Sequence, residues 1–224
     1  MKIIVVGGGR SGTDLSARLS RAGHAVTLID RDEAVARRGF EQFGLATLTG
    51  DGTDPGVLRE AEADRAEVLA ALLRRDADNL AIALLARDMG TKRVMVRMRD
   101  AAYRGVYRAA GVQEVLSEVD VLVGALMTAV EHPLVSRSMV LGSGGSVAFE
   151  IVVPEDAEIA GQSVRDLAAN PDFPRGSVFA GVGDASGRIV APRGDSRVLG
   201  GSSVIVVAER GDIAQAASFL TRSR

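Results

Sequence analysis

Apolar and polar positions alternate in two textures along the chain. Residues 1–6 form a nearly continuous apolar run with Lys2 as the only charge, as in a strand buried on both faces. Residues 13–22 read as a helix. Residues 25–29 form a second strand bounded by Gly23 and closed by Asp30, and residues 33–43 a helix stopped by Gly44. After a short strand at 46–48, Asp54-Pro55 reads as an N-cap with proline at the first helical position, opening a helix to about residue 62. Residues 68–73 are an apolar run of strand length, and 74–78 a charged loop. Leu80 and Leu84, widened by Ile82 and Leu85, predict a helix over 79–89 closed by Gly90. A strand at 94–98, a helix at 101–110 and a short strand at 115–116 complete the series. Unbroken alternation with short connections predicts an α/β fold, a Rossmann-type doubly wound parallel sheet covered on both faces.

The texture changes at residue 120. Val121, Leu122, Val123, Leu126, Met127 and Val130 place apolar groups around most of a helical circumference. Such a helix must be buried on all sides. Little of its own domain remains to cover it, which predicts packing on a second subunit, with an ordinary core helix as the alternative. Gly142-Ser143-Gly144-Gly145-Ser146 reads as a flexible linker. The expected domains are therefore a nucleotide-binding lobe over 1–132, a linker over 133–146 and a small α+β C-terminal lobe over 147–224. That lobe is expected to hold strands at 147–153, 177–182, 188–191 and 203–208 and a turn at Asp184-Ala185-Ser186-Gly187. A helix capped by Ser163 should cover 164–169, and one capped by Asp212 should reach about residue 221.

Candidate chemistry sits where the first strand meets the first helix. Gly7-Gly8-Gly9-Arg10-Ser11-Gly12 carries the G-x-G-x-x-G spacing in the strand-then-helix context that makes it a dinucleotide-binding signal. Gly7 permits a tight turn, Gly9 lets backbone approach a pyrophosphate, and Gly12 lets the helix pack close to the strand. The helix N-terminus offers unpaired N–H groups to an anion. Asp30 ends the second strand at the position from which an acid reaches a ribose hydroxyl. That favours NAD(H) or an adenosine nucleotide over NADP(H), which Arg31 keeps as a minor option. Arg10, inside the loop, can reach a terminal phosphate and grip it bidentately. Arg97 lies on the ligand-binding edge of the sheet, or is a solvated strand-end charge.

Composition narrows the function. Net charge is −2, apolar content 46% and charged content 25%. The acidic balance argues against a nucleic acid partner. The absence of cysteine excludes disulfides and thiolate metal sites, and no cluster of histidine, aspartate and glutamate has metal-ligand spacing, so no metal is expected. No signal peptide is visible, and the uncharged apolar run 121–130 is half what a bilayer needs. A soluble protein is expected, with no direct membrane insertion. Neither histidine, His24 or His132, nor either lysine, Lys2 or Lys92, stands where an acid–base group is needed. Tyr103 and Tyr107, beside Arg104 and Arg108, read as an exposed helix face. A nucleotide site without placed reaction groups suggests a sensor rather than an enzyme. An NAD(P)-dependent oxidoreductase with a small cap domain is the alternative, and a redox-sensing DNA-binding regulator the third reading.

Taken together, these segments resemble the regulatory RCK domains of Trk/Ktr-type potassium uptake systems, over nearly the whole chain. The resemblance rests on the glycine loop and Leu28-Ile29-Asp30, on Gly50-Asp51-Gly52-Thr53, and on Asp76-Ala77-Asp78-Asn79, similar to a D-E-x-N segment. The run from Val96 to Tyr103 is similar to A-R-x-x-D-P-x-Y, and Leu116-Ser117 to the start of I-S-P-E. In the C-terminal lobe, residues 159–167 carry it. Glu118 and Val119 stand where the family usually has proline and glutamate. The resemblance implies a cytoplasmic regulatory subunit, peripheral to the membrane through an integral-membrane potassium-translocating partner. It also implies dimers within a tetrameric or octameric ring, and binding of NAD(H) or ATP/ADP. Carried over, Gly7, Gly9, Arg10, Ser11 and Gly12 would hold phosphates, and Asp30 and Arg31 the ribose end. Asp51, Gly52 and Thr53 would line the adenosine side, and Asp76, Asn79 and Arg97 the edge of the site. The apolar helix after Ser117 resembles the family's crossover helix.

Overall fold

Side chains of the first strand, β1 (Lys2–Val6), divide between two cores, which is what a strand covered on both faces requires. Ile3 and Val5 join one apolar cluster, and Ile4 and Val6 the other. The computed structural model describes residues 1–142, 144–184 and 186–223. Ser143 and Ala185, which the sequence placed in a linker and a turn, lie outside the described residues. The chain folds into two compact units, Met1–Val119 and Asp120–Arg224.

The first unit alternates strand and helix as the hydrophobic pattern predicts. It comprises α1 (Arg10–Arg21), β2 (Ala25–Asp30), α2 (Glu33–Phe43), β3 (Ala46–Thr49), α3 (Pro55–Glu60), β4 (Val68–Ala71), α4 (Asp76–Asp88), β5 (Arg93–Met98), α5 (Tyr103–Ala109) and β6 (Glu114–Ser117). The sheet runs β3-β2-β1-β4-β5-β6, every pairing parallel. Strand order reverses between β1 and β4. The carboxyl ends flanking that reversal form the crevice where open α/β sheets bind ligands. Leu15 and Leu19 of α1 cover one face, and Leu58 of α3 with Ile82, Ala83 and Ala86 of α4 the other. Asp54 caps α3 by accepting the Gly56 N–H at 2.7 Å, with Pro55 behind it. Asp32 caps α2 in the same way through Ala34.

The segment read as a charged loop differs, because α4 begins at Asp76. The Asp76 carboxylate is buried and accepts the N–H groups of Arg99 and Asp100, and Tyr107 Oη donates to its carbonyl at 3.0 Å. Tyr107 is therefore fully buried, not on an exposed face. Burial first, and the Asp76 charge second, push its phenol well above the usual range, so it remains a neutral donor.

The next helix, α6 (Glu118–Glu131), buries only Gly124 and Thr128. Val121, Leu122, Val123, Leu126, Met127 and Val130 are exposed, Val130 at 79%. A Cβ on Gly124 would lie 2.7 Å from Val140 Cγ2, so the helix approaches its neighbour through its smallest residues. That neighbour, β7 (Val135–Leu141), corrects the linker reading. It pairs antiparallel with β8 (Ser146–Val152), with Leu141 opposite Ser146. The glycines after Leu141 thus lie within a hairpin connection, where polar glycine runs occur as readily as in linkers.

The second sheet runs β10 (Ile189–Val190), β9 (Val178–Gly183), β11 (Ser203–Glu209), β8, β7, all antiparallel. α7 (Val164–Ala169) is capped by Ser163 Oγ, which accepts the Asp166 N–H. α8 (Ile213–Thr221) follows a 3-10 turn at Arg210–Asp212, and the Asp212 carboxylate makes no capping bond. Phe173 stacks on Phe179 at 4.7 Å and tilts against Phe219 of α8. That trio anchors a core with Phe149, Ile151, Val204 and Val206. Among the described residues no helix is long and apolar enough to cross a membrane.

Candidate functional site

A cavity of about 820 Å³ opens at the strand-order reversal of the parallel sheet. The turn after β1 forms its floor. Gly7 has φ +107, a left-handed conformation that only glycine adopts without strain. α1 begins at Arg10, earlier than the pattern suggests, with Gly9 as an extended N-cap. Thr13 is the first residue whose amide bonds back within the helix, to Gly9 O at 2.9 Å. The amides of Arg10, Ser11 and Gly12 precede it and constitute the anion-favouring end of the helix dipole.

The glycines do different work. A Cβ on Gly12 would sit 1.8 Å from Gly7 O, so the helix rests directly on the turn. A Cβ on Gly9 would meet nothing within 4 Å. Gly9 is thus not required by internal packing, and its bare backbone faces space that a ligand can fill. Gly52, also lining the cavity, is pressed against Val6, whose Cγ1 would lie 2.2 Å from an added Cβ.

Asp30 ends β2 and holds the loop in place. Its Oδ2 accepts the Gly8 N–H at 2.6 Å and its Oδ1 the Asp32 N–H at 2.9 Å. Asp32, two residues on, is the residue that caps α2, which leaves Asp30 to the loop. A carboxylate has about four acceptor sites, so Asp30 keeps capacity for hydroxyl donors. Asp51 accepts the Thr53 N–H at 2.9 Å and the Thr53 hydroxyl at 2.7 Å. These two bonds, with Arg31 nearby, hold its carboxyl below the usual range, so it is ionised at neutral pH.

Of the residues singled out from sequence, Gly7, Gly9, Arg10, Ser11, Gly12, Asp30, Arg31, Asp51, Gly52, Thr53 and Arg97 all line this cavity. Asp76 and Asn79 do not. Asn79 is fully buried, accepts the Leu73 N–H at 2.8 Å and donates to Leu73 O and Arg97 O, both at 3.0 Å. It clips the ends of β4 and β5 together, so its contribution is to the wall and not to its surface. Arg74, Arg75 and Asp78 line the cavity and were missed. Their signal was positional: Arg74 and Arg75 follow the strand that neighbours β1 across the reversal. Arg97 donates through Nη2 to Leu73 O at 3.0 Å, and its Nη1 lies 3.3 Å from Glu118.

Five arginines therefore meet one cavity: Arg10, Arg31, Arg74, Arg75 and Arg97. The same cavity is lined by the residues that carry the helix-end amides, Arg10, Ser11 and Gly12, and by Asp30. The donor set suits a ligand with phosphates at one end and hydroxyls at the other.

Residues 3–118 match the TrkA-N domain and residues 148–221 the TrkA-C domain. The chain is 26% identical over 230 residues to a Trk system potassium uptake protein TrkA homolog of Pyrococcus abyssi, covering 100% of this chain and 99% of that one. The solved GsuK channel bound to NAD shares the fold with a TM-score of 0.67 at 17% identity. All of this chain aligns there, spanning 40% of that chain. GsuK bound to ADP aligns over 57% of this chain and 34% of that one, with a TM-score of 0.51 at 21% identity. With a TrkA-N match over more than half its length and a TrkA-C match behind it, the chain belongs to the TrkA-N/TrkA-C family.

Proposed function

We propose that this protein is a cytoplasmic nucleotide-binding gating subunit of a Trk-type potassium transport system. The observation that carries the proposal is the arginine-rich cavity at the reversal of strand order. Its wall offers backbone amides, guanidinium groups and carboxylates, which bind and orient. NAD(H) or ATP/ADP fits that donor set. The loop from Gly7 to Gly12, with Arg10, would hold the phosphates. Asp30 would take the ribose hydroxyls through its remaining acceptor sites, with Arg31, Asp51, Gly52 and Thr53 on the adenosine side. Arg97 would meet the end away from the ribose. The names of the similar proteins support this reading, potassium uptake in one case and NAD or ADP in the others.

The self-partner follows from α6. Seven large apolar side chains in solvent on one helix, Val119 among them, exceed what scattered surface residues need, and a second copy of the chain would cover them. Dimers would then assemble into a tetrameric or octameric ring on an integral-membrane potassium-translocating subunit. A nucleotide shifts such a ring only by its differential affinity for two arrangements, about 1–3 kcal/mol in typical allosteric coupling.

The chain has no cysteine, so a single Glu41→Cys change on the exposed face of α2 gives one spin label per subunit. Distances between labels are expected to redistribute on saturation with the nucleotide that binds. A distribution that stays fixed at saturation would contradict gating.

A further inference from the structure

Glu118 is the first residue of α6 and does not line the large cavity. Its Oε2 lies 3.3 Å from Arg97 Nη1 and 3.7 Å from Arg99 Nε. The two arginines serve different recesses. Arg97 lines the large cavity, and Arg99 lines a smaller one of about 370 Å³ with Asp76 and Tyr103. Arg97 is the more enclosed, its side chain 18% exposed against 50% for Arg99. Its Nη2 is committed to Leu73 O, and its Nε is buried without a partner. A cation on the cavity wall is thus partly neutralised by a carboxylate that stands outside the cavity.

We infer that Glu118 is a positioning residue that sets, through Arg97, how strongly the cavity favours phosphate. The inference rests on the nucleotide reading above. A bidentate grip on phosphate needs neighbouring N–H donors of one guanidinium. Leu73 O occupies one Arg97 nitrogen and Glu118 another, so an anionic ligand group must compete with Glu118 for the same charge. A ligand that draws Arg97 inward frees the Glu118 carboxylate. Freed, it no longer ties the first turn of α6 to β5, and a turn held by one contact fewer opens more readily. Charge at the ligand's phosphates is thereby linked to the start of the helix that carries the exposed apolar face.

Calorimetric titration of the wild-type chain and E118Q with ATP, ADP and adenosine tests this. Removing the competing carboxylate should tighten ATP and ADP by about two- to five-fold, the range of a part-exposed ion pair, and leave adenosine unchanged. Unchanged or weaker ATP binding, or an equal gain for adenosine, overturns the inference. If E118Q does not fold, hydrogen exchange on the wild-type protein decides. ATP should speed exchange at the amides of residues 122–126 and adenosine should not; equal effects of the two overturn it. A wild-type chain that binds none of the three overturns this inference, and one that also fails to bind NAD⁺ and NADH overturns the nucleotide reading with it. Binding that E118Q leaves unaltered overturns only the role of Glu118.

Discussion

At the scale of single residues, the site depends on a few side chains whose neighbours fix what each can do. Arg10 begins α1 and has no carboxylate partner within ion-pair distance among the described residues. Arg10→Ala should therefore weaken ATP more than NAD⁺, since the extra terminal phosphate loses its nearest loop cation; equal losses by calorimetry would contradict that role. Gly12→Ala drives a Cβ into Gly7 O, a backbone atom that cannot swing aside. Overpacking of this kind costs about 1–3 kcal/mol, and chemical denaturation should show it alongside loss of nucleotide binding. Tyr107→Phe removes a buried hydroxyl that donates to Asp76, and a loss of about 1–2 kcal/mol is expected, again from denaturant midpoints. The glycine loop and Asp30 were legible in the sequence because their chemistry is local, a fixed spacing beside one strand. Asp76, Asn79 and Tyr107 were not. Their partners lie 6 to 31 positions away, and only the folded chain shows that they brace the wall instead of forming it.

Secondary-structure elements were readable to the extent that one period dominated. β1, α1 and the strands that follow show it: alternate residues of β1 feed opposite cores, so the parallel sheet follows from the pattern alone. β7 was hidden because its residues mix serine, arginine and exposed Met139 with apolar groups. A sheet-edge strand, hydrogen-bonded on one side, imprints little alternation. α6 was legible as an element needing cover, and the structure leaves its large side chains exposed, Leu126 at 54%. If a second copy of the chain covers them, Leu126→Asp should shift the protein toward monomer. Sedimentation velocity should show a slower species for the variant than for wild type at equal concentration. Identical sedimentation of the two would count against α6 as the subunit contact. Because Leu126 makes no contribution to the buried core, denaturant midpoints of the separated monomer should change little.

Across the whole molecule, two units divide the labour. The first brings eleven of the thirteen residues named from sequence onto one cavity and adds Arg74, Arg75 and Asp78. The second holds an antiparallel sheet with its own aromatic core. Between them in sequence, α6 begins with the residue that pairs with Arg97 and continues with the apolar face. The proposed gating, in which occupancy at the sheet's edge biases the arrangement of subunits, first requires that the cavity bind a nucleotide. Isothermal titration of the purified chain with ATP, ADP, NAD⁺ and NADH tests that condition most directly, with Asp30→Ala alongside. Saturable binding of at least one of the four, weakened in Asp30→Ala, is the expected result. Failure of all four to bind at millimolar concentration would contradict it.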